Sequence, residues 1–218
     1  MSKQLKTIDE LFKDKFYISE IQKKLPKLFR MAEIESSRGG KIGMFVGSIR
    51  ENVIIALLIY AFGNKAVNPE FTITATEKDL ELAGKPISIK TITNSGYVKA
   101  VWTVDADSAL RWTSTYEPKM DILLAKICWN TKDGGLFLIP VKVQIDSFKK
   151  LGRTRYLKMP KLGTNPRGVE FSKEAISSML SDKRTLRIEI DWVKPDLPVK
   201  SIYQRWIDVW KGTGKNLD

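Results

Sequence analysis

Histidine is absent from all 218 residues of the chain. That excludes a Ser-His-Asp triad, a Cys-His pair, a histidine-ligated zinc, and any nuclease chemistry built on a histidine base or nucleophile. Cysteine occurs once, at Cys128 inside an apolar run, so neither an internal disulfide nor a thiolate metal cluster can form. A buried spectator thiol in a reducing, cytoplasmic setting is the expectation. Long hydrophobic runs are missing too. The longest, Val53–Phe62, has ten residues against the roughly 20 needed to cross a bilayer, and it reads as a buried helix. The first residues, Met-Ser-Lys-Gln-Leu-Lys, lack the apolar core of a signal peptide. Acidic residues are few: 25 Asp+Glu face 37 Lys+Arg, a net charge of +12. Such a balance favours a polyanionic partner, nucleic acid ahead of a membrane. Any hydrolysis falls to carboxylates holding a hard cation such as Mg²⁺.

What is present suffices for one sizeable core. Hydrophobic residues make up 43% of the chain, and no clean boundary divides it, so residues 1–218 are expected to form one domain. Residues 8–34 carry apolar positions at three- and four-residue spacing and predict helix, with Pro26 kinking or breaking it. A glycine-rich basic loop over 36–47 precedes a helix from Ser48 to about Phe62, ended by Gly63-Asn64. Phe71–Glu77 alternates as a strand, as does Tyr97–Val104. A short helix fits within 105–119. Asp121–Trp129 and Leu136–Ile145 are apolar enough for central strands. Residues 149–168 read as a basic loop. Ser172–Ser181 is a short helix capped by Ser172. Arg184–Val193 is a strand with Leu186, Ile188, Ile190 and Trp192 on one face, and Val199–Trp210 is a last helix. The fold class is therefore α/β (α+β), a central mixed sheet flanked by helices.

Residues 76–93 predict a β-hairpin turning at Gly84-Lys85, the loop a type II′ turn favours. Ala83 then pairs with Pro86, Glu81 with Ser88, and Asp79 with Lys90. Leu80, Leu82, Ile87 and Ile89 share the apolar face, and Asp79, Glu81, Ser88 and Lys90 the polar one. A carboxylate faces an ammonium across the strands, either as a plain ion pair or as half of a phosphodiesterase site. Glu51 has two roles open to it. Ser48-Ile49-Arg50-Glu51 fits a capping box in which Glu51 reaches back to the Ser48 amide. Alternatively, Glu51 points from the first helical turn toward Asp79 and shares a cation with it. Two other acid–lysine sets fit less well. Asp107 with Glu117-Pro118-Lys119 would place proline inside the strand presenting the lysine. Asp121 and Lys126 would face opposite sides of one strand.

Glu51 on a helix, Asp79 on one hairpin strand and Lys90 on the next resemble the site of the PD-(D/E)xK nuclease superfamily. The full length resembles the ThaI family of type II restriction endonucleases. The match departs from the superfamily pattern at Ser88, where a carboxylate is usual, and at Lys78, which stands where a proline often precedes the aspartate. The resemblance implies a restriction-endonuclease-like fold. It makes Glu51, Asp79 and Lys90 catalytic, with Mg²⁺ held by Asp79, Glu51 and the Ile89 carbonyl. It also implies a homodimer on double-stranded DNA, cutting the palindrome CGCG at its centre to leave blunt ends.

Basic segments supply the expected DNA contacts. Lys149, Lys150, Arg153, Arg155, Lys158, Lys161 and Arg167 span a stretch with no acidic residue; their arginines could reach guanine edges or phosphates. Ser88 is a further DNA-side candidate. In the earlier loop, Arg38 and Lys41 would draw the chain to phosphates. Met44 is either an apolar wedge between base steps or a core anchor. Two alternatives to a site-specific endonuclease fit the same residues: a non-catalytic nucleic-acid-binding protein, and a repair nuclease that reads DNA structure.

Overall fold

Two apolar strands, Asp121–Ile127 and Gly135–Ile139, lie inside the main sheet with both faces covered. The computed structural model describes residues 4–37, 45–69, 77–94, 96–103, 105–158 and 168–196. Its main sheet has six strands: β1 (Val67–Pro69), β2 (Leu80–Leu82), β3 (Lys85–Thr93), β5 (Asp121–Ile127), β6 (Gly135–Ile139) and β9 (Leu186–Glu189), adjacent in that order. Leu123, Ala125 and Ile127 of β5 enter one core, and Ile122 and Leu124 enter another on the opposite face. On β6, Leu136 and Leu138 join the first core, and Phe137 and Ile139 the second. This is the period of two that a strand imposes.

Helices α1 (Ile8–Leu11), α2 (Lys15–Ser37) and α3 (Phe45–Phe62) contribute to the first core. The second holds α4 (Ala106–Thr115), α5 (Val141–Leu151), α6 (Arg153–Tyr156) and α7 (Lys173–Ser181). It also takes in a small sheet of β4 (Val98–Val101), β8 (Val169–Phe171) and β7 (Leu157–Lys158). Strands β3 and β5 run parallel, and the other pairs of the main sheet antiparallel. A parallel pair needs a crossover, and this one carries β4 and α4. The mixed α/β class expected from the sequence is the one observed. Among the described residues no helix is long and apolar enough to cross a membrane.

Several boundaries differ from expectation. Helix α2 runs through Pro26 without ending, because Ile21, Leu25 and Phe29, buried on either side of it, hold the segment on the core. The break comes earlier, at Asp14, whose side chain accepts from the amides of Phe16 and Tyr17 (2.9 and 3.3 Å) and so starts α2. Helix α3 already includes Phe45, so Ser48 lies within it and the predicted capping box does not exist. Its C-terminus follows expectation: Gly63 sits at φ 82° and its amide bonds to the Ile59 carbonyl at 2.8 Å. The apolar run after Leu136 is strand only to Ile139; Pro140 then serves as the N-cap of α5. The predicted basic loop from residue 149 instead contains the end of α5, then α6 and β7. Residues 71–76, nearly all of the strand expected before the hairpin, and the last expected helix lie outside the described residues.

The hairpin turn is also displaced. Ala83 and Gly84 both adopt positive φ, 49° and 78°, as a type I′ turn requires. Leu82 therefore pairs with Lys85, Glu81 with Pro86, and Leu80 with Ile87. The predicted register is off by two residues, and a shift of two leaves every side chain on its predicted face.

Candidate active site

The hairpin aims Asp79 at Lys90 although the two are no longer directly opposite. Three donors converge on Asp79 Oδ2: the Ile89 amide at 2.6 Å, the Ser88 hydroxyl at 3.1 Å and Lys90 Nζ at 3.3 Å. The carboxylate is fixed by strand geometry, because all three of its donors come from consecutive residues of β3. Ser88 is only 3% exposed. It orients Asp79 from within the protein, which corrects the expectation that it faces DNA.

Helix α3 brings the second acid. Ile54, Leu58 and Ala61 are fully buried at three- and four-residue spacing, and Glu51 lies one turn before Ile54 on the same stripe. A short buried network ties the start of this stripe to the sheet. Arg50 donates to Glu33 of α2 at 2.7 Å and to Thr93 of β3 at 3.0 Å. Glu33 also accepts from Trp129 Nε1 at 2.7 Å. Burial pushes the Glu51 carboxyl from 4.5 up to about 7; the Lys90 ammonium works against that rise and the Asp79 carboxylate adds to it. Glu51 thus shares an electrostatic environment with both members of the hairpin pair.

Glu51, Asp79 and Lys90 line one cleft of about 690 Å³. Among the described residues no three acidic, histidine or cysteine side chains form a metal-holding group. The cleft offers the carboxylates of Glu51 and Asp79, hard oxygen donors of the kind Mg²⁺ accepts, an ion that keeps several of its waters. A half-buried carboxyl that resists ionisation is also what a cation would stabilise in charged form. Residues and group fit.

A sequence profile of the family "Restriction endonuclease ThaI" matches residues 11–212. The chain belongs to the ThaI family of restriction endonucleases. A solved structure described as "Restriction endonuclease in complex with substrate DNA" superposes with a TM-score of 0.86 at 45% identity, covering 94% of this chain and 99% of that one. No curated protein sequence matches at a significant level. The activity of this ThaI-family chain is site-specific DNA hydrolysis.

The expected DNA contacts of this ThaI-family chain fare unevenly. Arg153 is used internally: its Nη1 donates to the carbonyls of Thr113 and Tyr116 at 2.6 and 2.8 Å, at the end of α4. This corrects its placement on an exposed loop. Arg155 is exposed and paired with Glu174. Lys158 is exposed and 2.8 Å from Glu170, so a phosphate would compete with a surface carboxylate there. Arg38, Lys41, Met44, Lys161 and Arg167 lie outside the described residues. Of the alternative sets, Asp121 accepts from the Val141 amide at 2.7 Å and anchors α5; Asp107 lies in the first turn of α4.

Sequence reasoning missed Glu77, which also lines the cleft. Trp112 Nε1 donates to it at 3.0 Å. Burial pushes its carboxyl up, while Trp112, Lys119 and Lys90 work against the rise. Its separation of two from Asp79 was the available signal, but Trp112 reaches it only through the crossover.

Proposed function

We propose that the chain is a Mg²⁺-dependent type II endonuclease working through Asp79, Glu51 and Lys90. The observation that carries this is the Asp79 carboxylate, fixed by three donors 3.3 Å or less away in the cleft that also holds a half-buried Glu51 of raised pKa. Asp79, Glu51 and the Ile89 carbonyl are the oxygens that would hold the ion. When bound, Mg²⁺ withdraws charge from a phosphate oxygen and makes water a stronger acid. Asp79 needs no reorganisation, since Ser88 and the Ile89 amide already hold it. Glu51 gives up its proton near neutral pH and so adds charge where a cation binds. Lys90 orients the attacking water and then stabilises the charge developing on the phosphorus oxygens.

The resemblance extends this to the substrate: CGCG, cut centrally to blunt ends with a 5′-phosphate and a 3′-hydroxyl. The whole chain would act as one nuclease domain in the cytoplasm. A palindrome has two-fold symmetry, and a homodimer matches it.

Plasmid cleavage in Mg²⁺ and in EDTA tests the proposal. Discrete bands are expected only with Mg²⁺, and sequencing the ends reports the target. Asp79→Ala and Lys90→Ala should each abolish cutting while a DNA mobility shift persists. Near wild-type cutting by Asp79→Ala in Mg²⁺ would show the assignment wrong.

A further inference from the structure

The cleft has a second wall that the hydrolytic residues leave unexplained. Tyr97, Lys99 and Trp102 line it together with Glu51, Asp79 and Lys90. Both aromatics are open to solvent, Trp102 at 60% and Tyr97 at 49%. Each carries an ammonium over its ring. Lys99 Nζ is 4.4 Å from the Trp102 centroid, and Lys158 Nζ is 3.7 Å from that of Tyr97.

The backbone is built to present this wall. Strand β4 pairs with β8 through Lys99↔Glu170 and Val101↔Val169, leaving Ala100 as the extra residue of a bulge. A bulge reverses side-chain parity. Ala100 and Val101 are therefore both buried, and Trp102 comes out on the side of Lys99 despite an odd separation. Gly168 lets β8 approach at that point. It adopts φ 129°, and a Cβ there would lie 2.3 Å from the Val101 carbonyl oxygen and 3.2 Å from Trp102 Cα.

We propose that this wall binds the sugar–phosphate backbone of the DNA strand beside the phosphodiester being cut. Two solvent-open rings, each with an ammonium group against its face, offer apolar and cationic contacts together, as a strand of apolar deoxyribose and anionic phosphate requires. The faces of Trp102 and Tyr97 pack on sugars; Lys99 transfers from the Trp102 face to a phosphate, and Lys158 leaves both the Tyr97 face and the Glu170 carboxylate 2.8 Å away to reach another. Stacked bases inside a duplex offer no free face, so the contacts are to the backbone and carry no base information. The proposal rests on this cleft being the site of hydrolysis, and it adds the element that holds the strand against it.

Equilibrium binding in EDTA tests it, using a duplex that carries the cut site and an alternating dA–dT duplex of equal length. Trp102→Ala should weaken binding to both by the same factor, at least about fivefold, with Trp102→Phe retaining most of the affinity. Lys99→Met should lower the slope of log affinity against log salt by about one. Melting temperatures of the variants establish that they fold. Unchanged affinity in folded Trp102→Ala overturns the proposal, and so does a loss confined to the cut-site duplex. A shift in the monomer–dimer balance with unchanged DNA affinity would make the wall a protein interface and also overturn it. These outcomes are separate from the Asp79 assignment, which is decided by cleavage in Mg²⁺.

Discussion

Replacing Glu51 with glutamine should stabilise the metal-free protein at alkaline pH. Burial raises the Glu51 carboxyl from 4.5 to about 7, so the folded protein holds this proton more tightly than the unfolded chain. Stability from that group is complete below pH 4.5 and declines as pH rises toward 7, where the carboxylate must sit charged in the cleft. At about 1.4 kcal/mol for each tenfold change, the loss approaches about 3 kcal/mol by pH 8. Glu51→Gln has no proton to lose. Urea denaturation of both proteins in EDTA, from pH 5 to pH 8.5, should therefore show a stability difference that grows in favour of the variant and levels off above pH 8. Mg²⁺ should reverse the order by stabilising the wild type at pH 8 more than at pH 6, with little effect on the variant. A difference independent of pH would refute the buried-carboxyl account. A pH-dependent difference that Mg²⁺ leaves untouched would refute Glu51 as a ligand.

Two further outcomes test the framework around the site. Glu33→Ala leaves the Arg50 guanidinium buried without the carboxylate now 2.7 Å away and should cost about 3–5 kcal/mol in urea unfolding; a loss under about 1 kcal/mol would mean that water or Thr93 satisfies Arg50 alone. Ala83→Asn should stabilise the hairpin by about 0.5–1 kcal/mol, since Ala83 sits at φ 49° and asparagine tolerates that region better than alanine. A lower melting temperature for Ala83→Asn would argue against the type I′ turn.

The parts of the fold legible in the sequence are those governed by short periods. The apolar face of β9, the apolar run of α3 ended by Gly63 and the Ser172 cap, whose Oγ accepts from the Ala175 amide at 2.9 Å, each need only local residues. Boundaries were lost where tertiary packing outweighed a local rule. Pro26 is a strong break signal, but Ile21, Leu25 and Phe29 bury enough surface on either side to carry α2 past it. The strand predicted through Ile145 ends at Ile139, because Pro140 caps a helix whose buried residues, Val143, Gln144 and Ser147, follow helical spacing.

The Asp79–Lys90 pair survived a wrong turn assignment for a physical reason. Ala-Gly is a poor type I′ signal, because alanine disfavours positive φ, so the turn was placed one residue late and the register two residues out. Strand parity is unchanged by a shift of two, and facing is what determines whether Asp79 and Lys90 can share a substrate. Residues far apart in sequence had no such protection. Glu77 meets Trp112 and the β4 wall meets Glu51 only because β3 and β5 are parallel, which forces the intervening chain to cross over and return beside the hairpin. The same crossover that gives the cleft its second side therefore hides that side from any reading of local spacing. Asp79 and Lys90, set by a hairpin, and the groups proposed to hold the strand, set by topology, should then respond to different perturbations.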